Sequence, residues 1–237
     1  MQWRPYTIPF RPTRGVRQGC PLSPLLYILV AEVLGCNIRA CNNVEGFRIP
    51  GGSPFKLTQY ADDTTCFVHD LFSLQKLLDL TDKYGRGTGA KLNVSKTEAM
   101  WLGSHTGRVD KPLGLKWVTT MKVLGVYFGD NAVNANWDKR VTAFKKVTDL
   151  WLRRDLTVKG RVVIANTFGL SKFYYIAKIL IPPSSILDKI RKILVNFVWH
   201  GKAHLVSQDV CRLPFKQGGL NLPDFYVRLK ALHLSYT

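Results

Sequence analysis

Every residue from Leu25 to Ala31 is apolar, and the run LLYILVAEVLGCNIRA stays largely apolar to Ala40. Pro21 and Pro24 bracket its start, with Ser23 available as an N-cap, so the pattern predicts a helix buried on most sides. Beyond the Gly51-Gly52 turn, Phe55 and Leu57 alternate with Lys56 and Thr58, and β-favouring Thr65, Phe67 and Val68 follow a pair of aspartates. That pattern predicts two strands joined by a tight acidic turn. Leu74, Leu77, Leu78 and Tyr84 mark a helical stripe over 73–84, ended by Gly85, Gly87 and Gly89. Short strands fit KTEAMWLG and VLGVYFG. From about Asn134 the period changes, because Trp137, Val141, Phe144, Val147 and Trp151 recur at threes and fours, the mark of an amphipathic helix. A second helix is predicted over 158–181, stopped by Pro182-Pro183. A third starts at Ser185, with Asp188 three residues on and Ile186, Ile190, Ile193, Leu194 and Phe197 as its apolar face. The chain therefore reads as a mixed α/β part over 1–133 and a helical part over 134–237.

Composition sharpens this. The 237 residues are 46% apolar and 21% charged, which is globular composition and excludes wholesale disorder. Lys and Arg number 34 against 16 Asp and Glu, a formal charge of +18. Such an imbalance points to a polyanionic partner, nucleic acid or an anionic membrane surface. Between Asp138 and Lys202 there are 14 basic and 4 acidic residues, so the helical part supplies +10 of that charge. The first nineteen residues carry Arg4, Arg11, Arg14 and Arg17, three prolines and no acid, and read as an extended basic lead-in. Five cysteines (Cys20, Cys36, Cys41, Cys66, Cys211) without a C-x-x-C pair exclude a complete disulfide framework and give no support to a zinc site. They are expected as buried thiols in a reducing compartment. The unbroken apolar run is far short of the roughly 20 residues of a membrane span, and the N-terminus shows no apolar signal core. The expectation is a soluble intracellular protein, cytoplasmic or nuclear, without a membrane partner.

Two motifs could carry chemistry. Tyr60-Ala61-Asp62-Asp63 places adjacent carboxylates at a turn, where a divalent cation is the natural neutraliser. Hard cations such as Mg²⁺ take carboxylate oxygens, and a pair of them can assist phosphoryl transfer. Aspartate also favours turns for its own local hydrogen bonding, so the pair alone leaves both readings open. The second motif, Arg14-Gly15-Val16-Arg17-Gln18-Gly19-Cys20-Pro21, sets basic side chains, an amide and a flexible glycine just before the first helix. Backbone N–H groups at a helix start attract phosphate, Gly19 permits close approach, and Gln18 offers both donor and acceptor. A proline-rich turn with solvated arginines is the plain alternative.

Together RGVRQGCPLSPLLY and YADDTT resemble the reverse transcriptases of non-LTR, LINE-type retrotransposons. GAKLNVSKTEAMWLG and KVLGVYFG are similar to that family's next palm motif and primer grip. LTVKGRVVIANTFGLSKFYYIAKILIPPSS, FVWHG and LPFKQGGLNLPDF are similar to its helical thumb and the segment after it. The resemblance implies an α+β fold, a truncated right-hand polymerase palm (an antiparallel sheet with helices) over 1–133 and an α-helical thumb with a C-terminal segment over 134–237. It implies Asp62 and Asp63 as the metal-site carboxylates for Mg²⁺, with Mn²⁺ as an alternative. Tyr60 and Ala61 would shape the hairpin under the primer end. Arg17, Gln18 and Gly19 would face template and nucleotide, and Lys96 would serve as proton donor to the leaving pyrophosphate. Leu124, Gly125 and Val126 would belong to the primer grip. The implied partners are an RNA template, a DNA primer or RNA–DNA duplex, and deoxynucleotides.

The family's site uses a further aspartate from a motif earlier than RGVRQGCPLSP, and here the first acidic residue is Glu32. The expectation is therefore a fragment with an incomplete metal site, inactive by itself unless a partner supplies the missing palm strand. The alternatives are a non-catalytic module that clamps RNA or an RNA–DNA duplex, and a poorly folded pseudogene product.

Overall fold

A computed structural model describes residues 15–203 and 206–234; most of the basic lead-in lies outside them. The chain forms two compact units, one of residues up to Ala99 plus Gly107–Trp117, the other of Met100–Thr106 plus Val118 onward.

In the first unit, helix α1 spans Ser23–Ala40. Ser23 lies inside its first turn instead of capping it, because its hydroxyl donates to the Arg17 carbonyl at 2.6 Å. Strands β1 (Leu57–Tyr60) and β2 (Asp63–Cys66) pair antiparallel with Tyr60 opposite Asp63, the hairpin expected from the alternation. Helix α2 runs Leu71–Thr88. It begins two residues before the expected start, because Asp70 caps it by accepting from the Ser73 N–H at 2.7 Å. It also continues through Gly85 and Gly87, and ends only where Gly89 turns left-handed at φ 76°. The core here is small: Ile38, Val44, Leu57 and Leu77 are buried, with Leu34 and Leu74 against them. That explains the chief departure from expectation. Among the described residues only β1, α2 and their neighbours cover α1, through its C-terminal half, and Gly35 and Ile38 are its buried residues. Leu25, Ile28, Leu29 and Val33 stand more than half exposed. Helix α1 is also long and apolar enough to cross a membrane by length and composition, which the short apolar run had argued against. It carries the Glu32–Arg39 ion pair on one side. Strands β3 (Glu98–Ala99) and β4 (Lys116–Trp117) form a short parallel ladder.

In the second unit the expected strand VLGVYFG is instead most of a hairpin. Strands β5 (Thr120–Val123) and β6 (Val126–Gly129) pair antiparallel around Leu124-Gly125. The described strands thus make three separate two-stranded ladders, not one antiparallel sheet. Helix α3 spans Ala132–Leu152. The predicted second helix is composite: α4 (Val158–Ile164), a π-helical turn Ala165–Leu170, and α5 (Ser171–Ala177). It begins where expected, capped by the Thr157 hydroxyl accepting from the Gly160 N–H. Its regular turns end at Ala177, ahead of the prolines. Helix α6 covers Ser184–Trp199, α7 Gln208–Arg212 and α8 Phe225–Leu234. Trp137 and Phe144 of α3 meet Phe173, Ile176, Ile190 and Phe197 in one large core. This is the amphipathic stripe read from the sequence. All five cysteines are free, but only Cys211 is buried and Cys36 is exposed, so the expectation of uniformly buried thiols is corrected.

Candidate functional site

The acidic hairpin is positioned by α1. The Gln59 side chain lies against Gly35, where an added Cβ would meet its Oε1 at 2.4 Å. Lys56 Nζ donates to the Arg39 and Cys41 carbonyls at 2.9 and 2.7 Å, which satisfies acceptors at the helix C-terminus. The turn itself is tight. Tyr60 pairs with Asp63, leaving Ala61 and Asp62 as its two central residues, and Ala61 takes φ 52°. A positive φ at the first position followed by a negative one is the II′ sign pattern, whose twist suits a two-residue hairpin. Holding a non-glycine residue there costs about 1–2 kcal/mol, and such strain gathers at functional sites.

Tyr60, Ala61, Asp62 and Asp63 are all exposed. Among the described residues neither carboxylate enters an ion pair or hydrogen bond, so the side-chain oxygens are open to a cation. Two free carboxylates are the donor chemistry Mg²⁺ or Mn²⁺ takes, and the residues fit that ion. No third His, Cys, Asp or Glu among the described residues joins them in a ligand cluster; the one such cluster is Glu45, His69 and Asp70.

A residue that sequence reading missed lies beside them. Burial raises the pKa of Tyr27, on α1, and the neighbouring Asp62 carboxylate raises it further, as does Tyr84. Tyr84 also ties α2 to α1 by donating to the Val30 carbonyl at 3.1 Å. The helical spacing from Ser23 to Tyr27 puts Tyr27 one turn into α1, a placement the sequence signals only once the helix start is known.

The Arg17–Gly19 segment is a turn at that same end of α1. The Cys20 N–H meets the Arg17 carbonyl at 3.4 Å and the Ser23 N–H meets the Cys20 carbonyl at 3.1 Å. Gly19 has φ 83° with nothing near the position of a Cβ, so a ligand could approach its backbone. Arg17, Gln18 and Gly19 are exposed. The structure thus places Gln18–Gly19 at the start of α1, and Tyr27, one turn in, near enough to Asp62 to interact with it electrostatically. Lys96 is exposed in the turn before β3, where its N–H bonds Asn93; among the described residues it makes no hydrogen bond or ion pair with either aspartate.

Leu124, Gly125 and Val126 belong to the second unit. Leu124 and Gly125 have φ 46° and 85°, the type I′ pattern, and Val126 is buried. Three contacts fasten this hairpin. The Tyr175 hydroxyl donates to the Leu124 carbonyl. The Asn136 amide, fully buried, donates to the Tyr127 carbonyl at 2.7 Å and accepts its N–H at 2.9 Å. Arg140 donates to the Asn136 carbonyl at 2.7 Å, and burial lowers the Arg140 pKa. Lys122 and Lys139 lie 5.7 and 5.9 Å from the Tyr127 ring centre.

Residues 2–128 match the family model described as reverse transcriptase (RNA-dependent DNA polymerase). The chain belongs to the reverse transcriptase family. The matched stretch of this reverse-transcriptase chain includes both turns at α1 and ends within the β5–β6 hairpin. The chain is similar to a 149 kDa uncharacterized protein of transposon TX1 from Xenopus laevis, 31% identical over 220 residues, which cover 90% of this chain and 17% of that protein. It is 28% identical over 195 residues to the retrovirus-related Pol polyprotein of the type-2 retrotransposable element R2DM from Drosophila melanogaster, covering 81% of this chain and 16% of that protein. It is 43% identical over 58 residues to the mitochondrial protein AtMg01250 of Arabidopsis thaliana, covering 23% and 48%. The chain thus spans about a sixth of the length of the first two relatives.

Proposed function

We propose that this chain is part of the polymerase core of a LINE-type retrotransposon reverse transcriptase, comprising part of the palm and a basic helical thumb, and that it binds RNA–DNA duplex. The observation that carries the reading is the pair of exposed aspartates with unengaged carboxylates on a strained turn held against α1, the helix that the Arg17–Gly19 turn leads into. Asp62 and Asp63 would hold Mg²⁺, or Mn²⁺ in its place. When bound, the ion supplies charge stabilisation to nucleotidyl transfer onto a primer 3′ hydroxyl.

In this reading the chain's own groups do the positioning. The hairpin fixes the carboxylates where the primer end lies, with Tyr60 exposed beneath it. Arg17, Gln18 and the open backbone of Gly19 contact template and deoxynucleotide. Lys96 protonates the leaving pyrophosphate, and the Leu124–Val126 tip grips the primer. The basic residues of α3 to α6 track the duplex backbone. Among the described residues no third carboxylate joins the pair, and one more would complete the site. The exposed apolar side of α1 is a surface for a further polypeptide segment to cover, since large exposed apolar patches mark interaction surfaces. The five free cysteines suit a reducing compartment, cytoplasm or nucleus.

The test is primer extension on an RNA template in Mg²⁺ and in Mn²⁺, alongside RNA–DNA duplex binding. Duplex binding that weakens steeply with salt, without extension, is expected of the chain alone. Extension that Asp62→Asn abolishes would show the site complete and refute the incomplete-site reading. Absence of duplex binding would refute the proposal as a whole.

A further inference from the structure

The π-helical turn Ala165–Leu170 interrupts an otherwise regular run of helix, and such insertions are frequent at functional sites. Ala165, Gly169 and Leu170 are buried, which leaves Phe168 turned outward and 55% exposed. Its ring does not lie free on the surface. It is stacked on the indole of Trp151 from α3, with centroids 6.2 Å apart and planes 21° from parallel. The Arg154 guanidinium lies 4.9 Å from the centre of the same indole. The turn is kept although the buried Asn166 Oδ1 finds no hydrogen-bond partner, an arrangement that packing alone would not favour. A single exposed phenylalanine is ordinary on a protein surface. An exposed ring set nearly parallel to a tryptophan that also carries an arginine, within a stretch of net charge +10, is a more specific construction.

We propose that the Phe168–Trp151 stack is a seat for an unpaired nucleobase of a single-stranded nucleic acid. The aromatic face accepts any base by stacking, and Arg153, Arg154 and Lys172 supply positive charge for the adjoining phosphates. A duplex keeps its bases paired and stacked on one another, so the seat serves single strands and not the duplex track. The inference rests on the nucleic-acid-binding reading above and adds a second, single-strand site to it.

The experiment measures binding of the whole chain to an oligouridylate of about 12 nucleotides and to a blunt RNA–DNA duplex by fluorescence anisotropy. Phe168→Leu keeps apolar bulk but removes the π face. It is expected to weaken oligouridylate binding by about tenfold, leave duplex binding unchanged, and leave the salt slope unchanged because no phosphate contact is lost. Phe168→Trp is expected to restore single-strand affinity. Circular dichroism of both variants checks that the helical fold is intact. An undiminished oligouridylate affinity in Phe168→Leu, or an equal loss on single strand and duplex, would overturn the inference while the duplex-binding reading stands. If the unaltered chain binds neither probe, both fall.

Discussion

Gly169 tests the packing of the helical unit most directly. A methyl group there would meet Phe144 Cε2 at 2.5 Å and Cδ2 at 2.8 Å. Carbon atoms rest at about 3.5–4.0 Å, so the ring would have to retreat by about 1 Å. It has nowhere to go: Phe144 is fully buried and meets Phe173 edge-on at 5.8 Å. Overpacking of this kind costs about 1–3 kcal/mol. Against it stands the helix preference for Ala over Gly, about 1 kcal/mol. With a boxed ring the overpacking sits in the upper part of its range, about 2–3 kcal/mol, and Gly169→Ala is expected to lose about 1–2 kcal/mol net. Gly160→Ala is the control, since its nearest neighbour, the Thr157 hydroxyl, lies at 3.4 Å; it should be neutral or gain up to about 1 kcal/mol. The assay is urea denaturation read on the transition of the helical unit. In a cycle with Phe144→Leu, the double variant should lose less than the sum of the singles by at least about 0.5 kcal/mol. A Gly169→Ala protein as stable as the Gly160→Ala control, or an additive cycle, would refute the argument.

Other outcomes follow from single contacts. Asn136→Ala strands the N–H and the carbonyl of Tyr127 together, and is expected to cost about 2–4 kcal/mol in thermal or urea unfolding. Asp70→Ala removes the cap of α2 and is expected to cost about 1 kcal/mol at neutral pH. The Ser73 N–H holds the Asp70 carboxyl below its ordinary value of 3.8. The native group is therefore ionised to lower pH than the unfolded one, and its contribution is full above 3.8 and fades as pH falls through the lower native value. The gap between parent and variant should close correspondingly in acid. Thiol labelling at pH 8 should reach Cys20 first, because the Leu22 N–H lowers its pKa. It should reach Cys66 late, because burial pushes that thiol up to about 11, and burial raises Cys211 as well.

Features written in local pattern were legible in the sequence. The β1–β2 hairpin follows from alternation on either side of an acidic pair, and α3 and α6 follow from apolar spacing at threes and fours. What escaped depends on neighbours. Nothing in LLYILVAEVLG says how many elements will cover it, so a helix apolar all round was expected to be buried and is instead open along its N-terminal half. Leu124-Gly125 lacks the Asn-Gly or Asp-Gly signature of a type I′ turn; Tyr175, distant in sequence, holds the leucine carbonyl there. The π turn leaves no period of its own in 158–177, and Gly169 is the one residue that hints at a close approach. Gly85 and Gly87 looked like a helix end, but the left-handed cap at Gly89 lies beyond them. At the candidate site both motifs were legible, whereas Tyr27 beside Asp62 required the packing of α1 against the hairpin.

The fastening of the β5–β6 hairpin sets how it can breathe. Its tip is held from α5 by Tyr175 and its second strand from α3 by Asn136, so it has no independent route to opening. Its amide hydrogens should exchange with solvent at the rate of the helices that hold it, as one cooperative block. A two-stranded ribbon, ordinarily among the loosest pieces of a protein, here takes on the lifetime of a helical core.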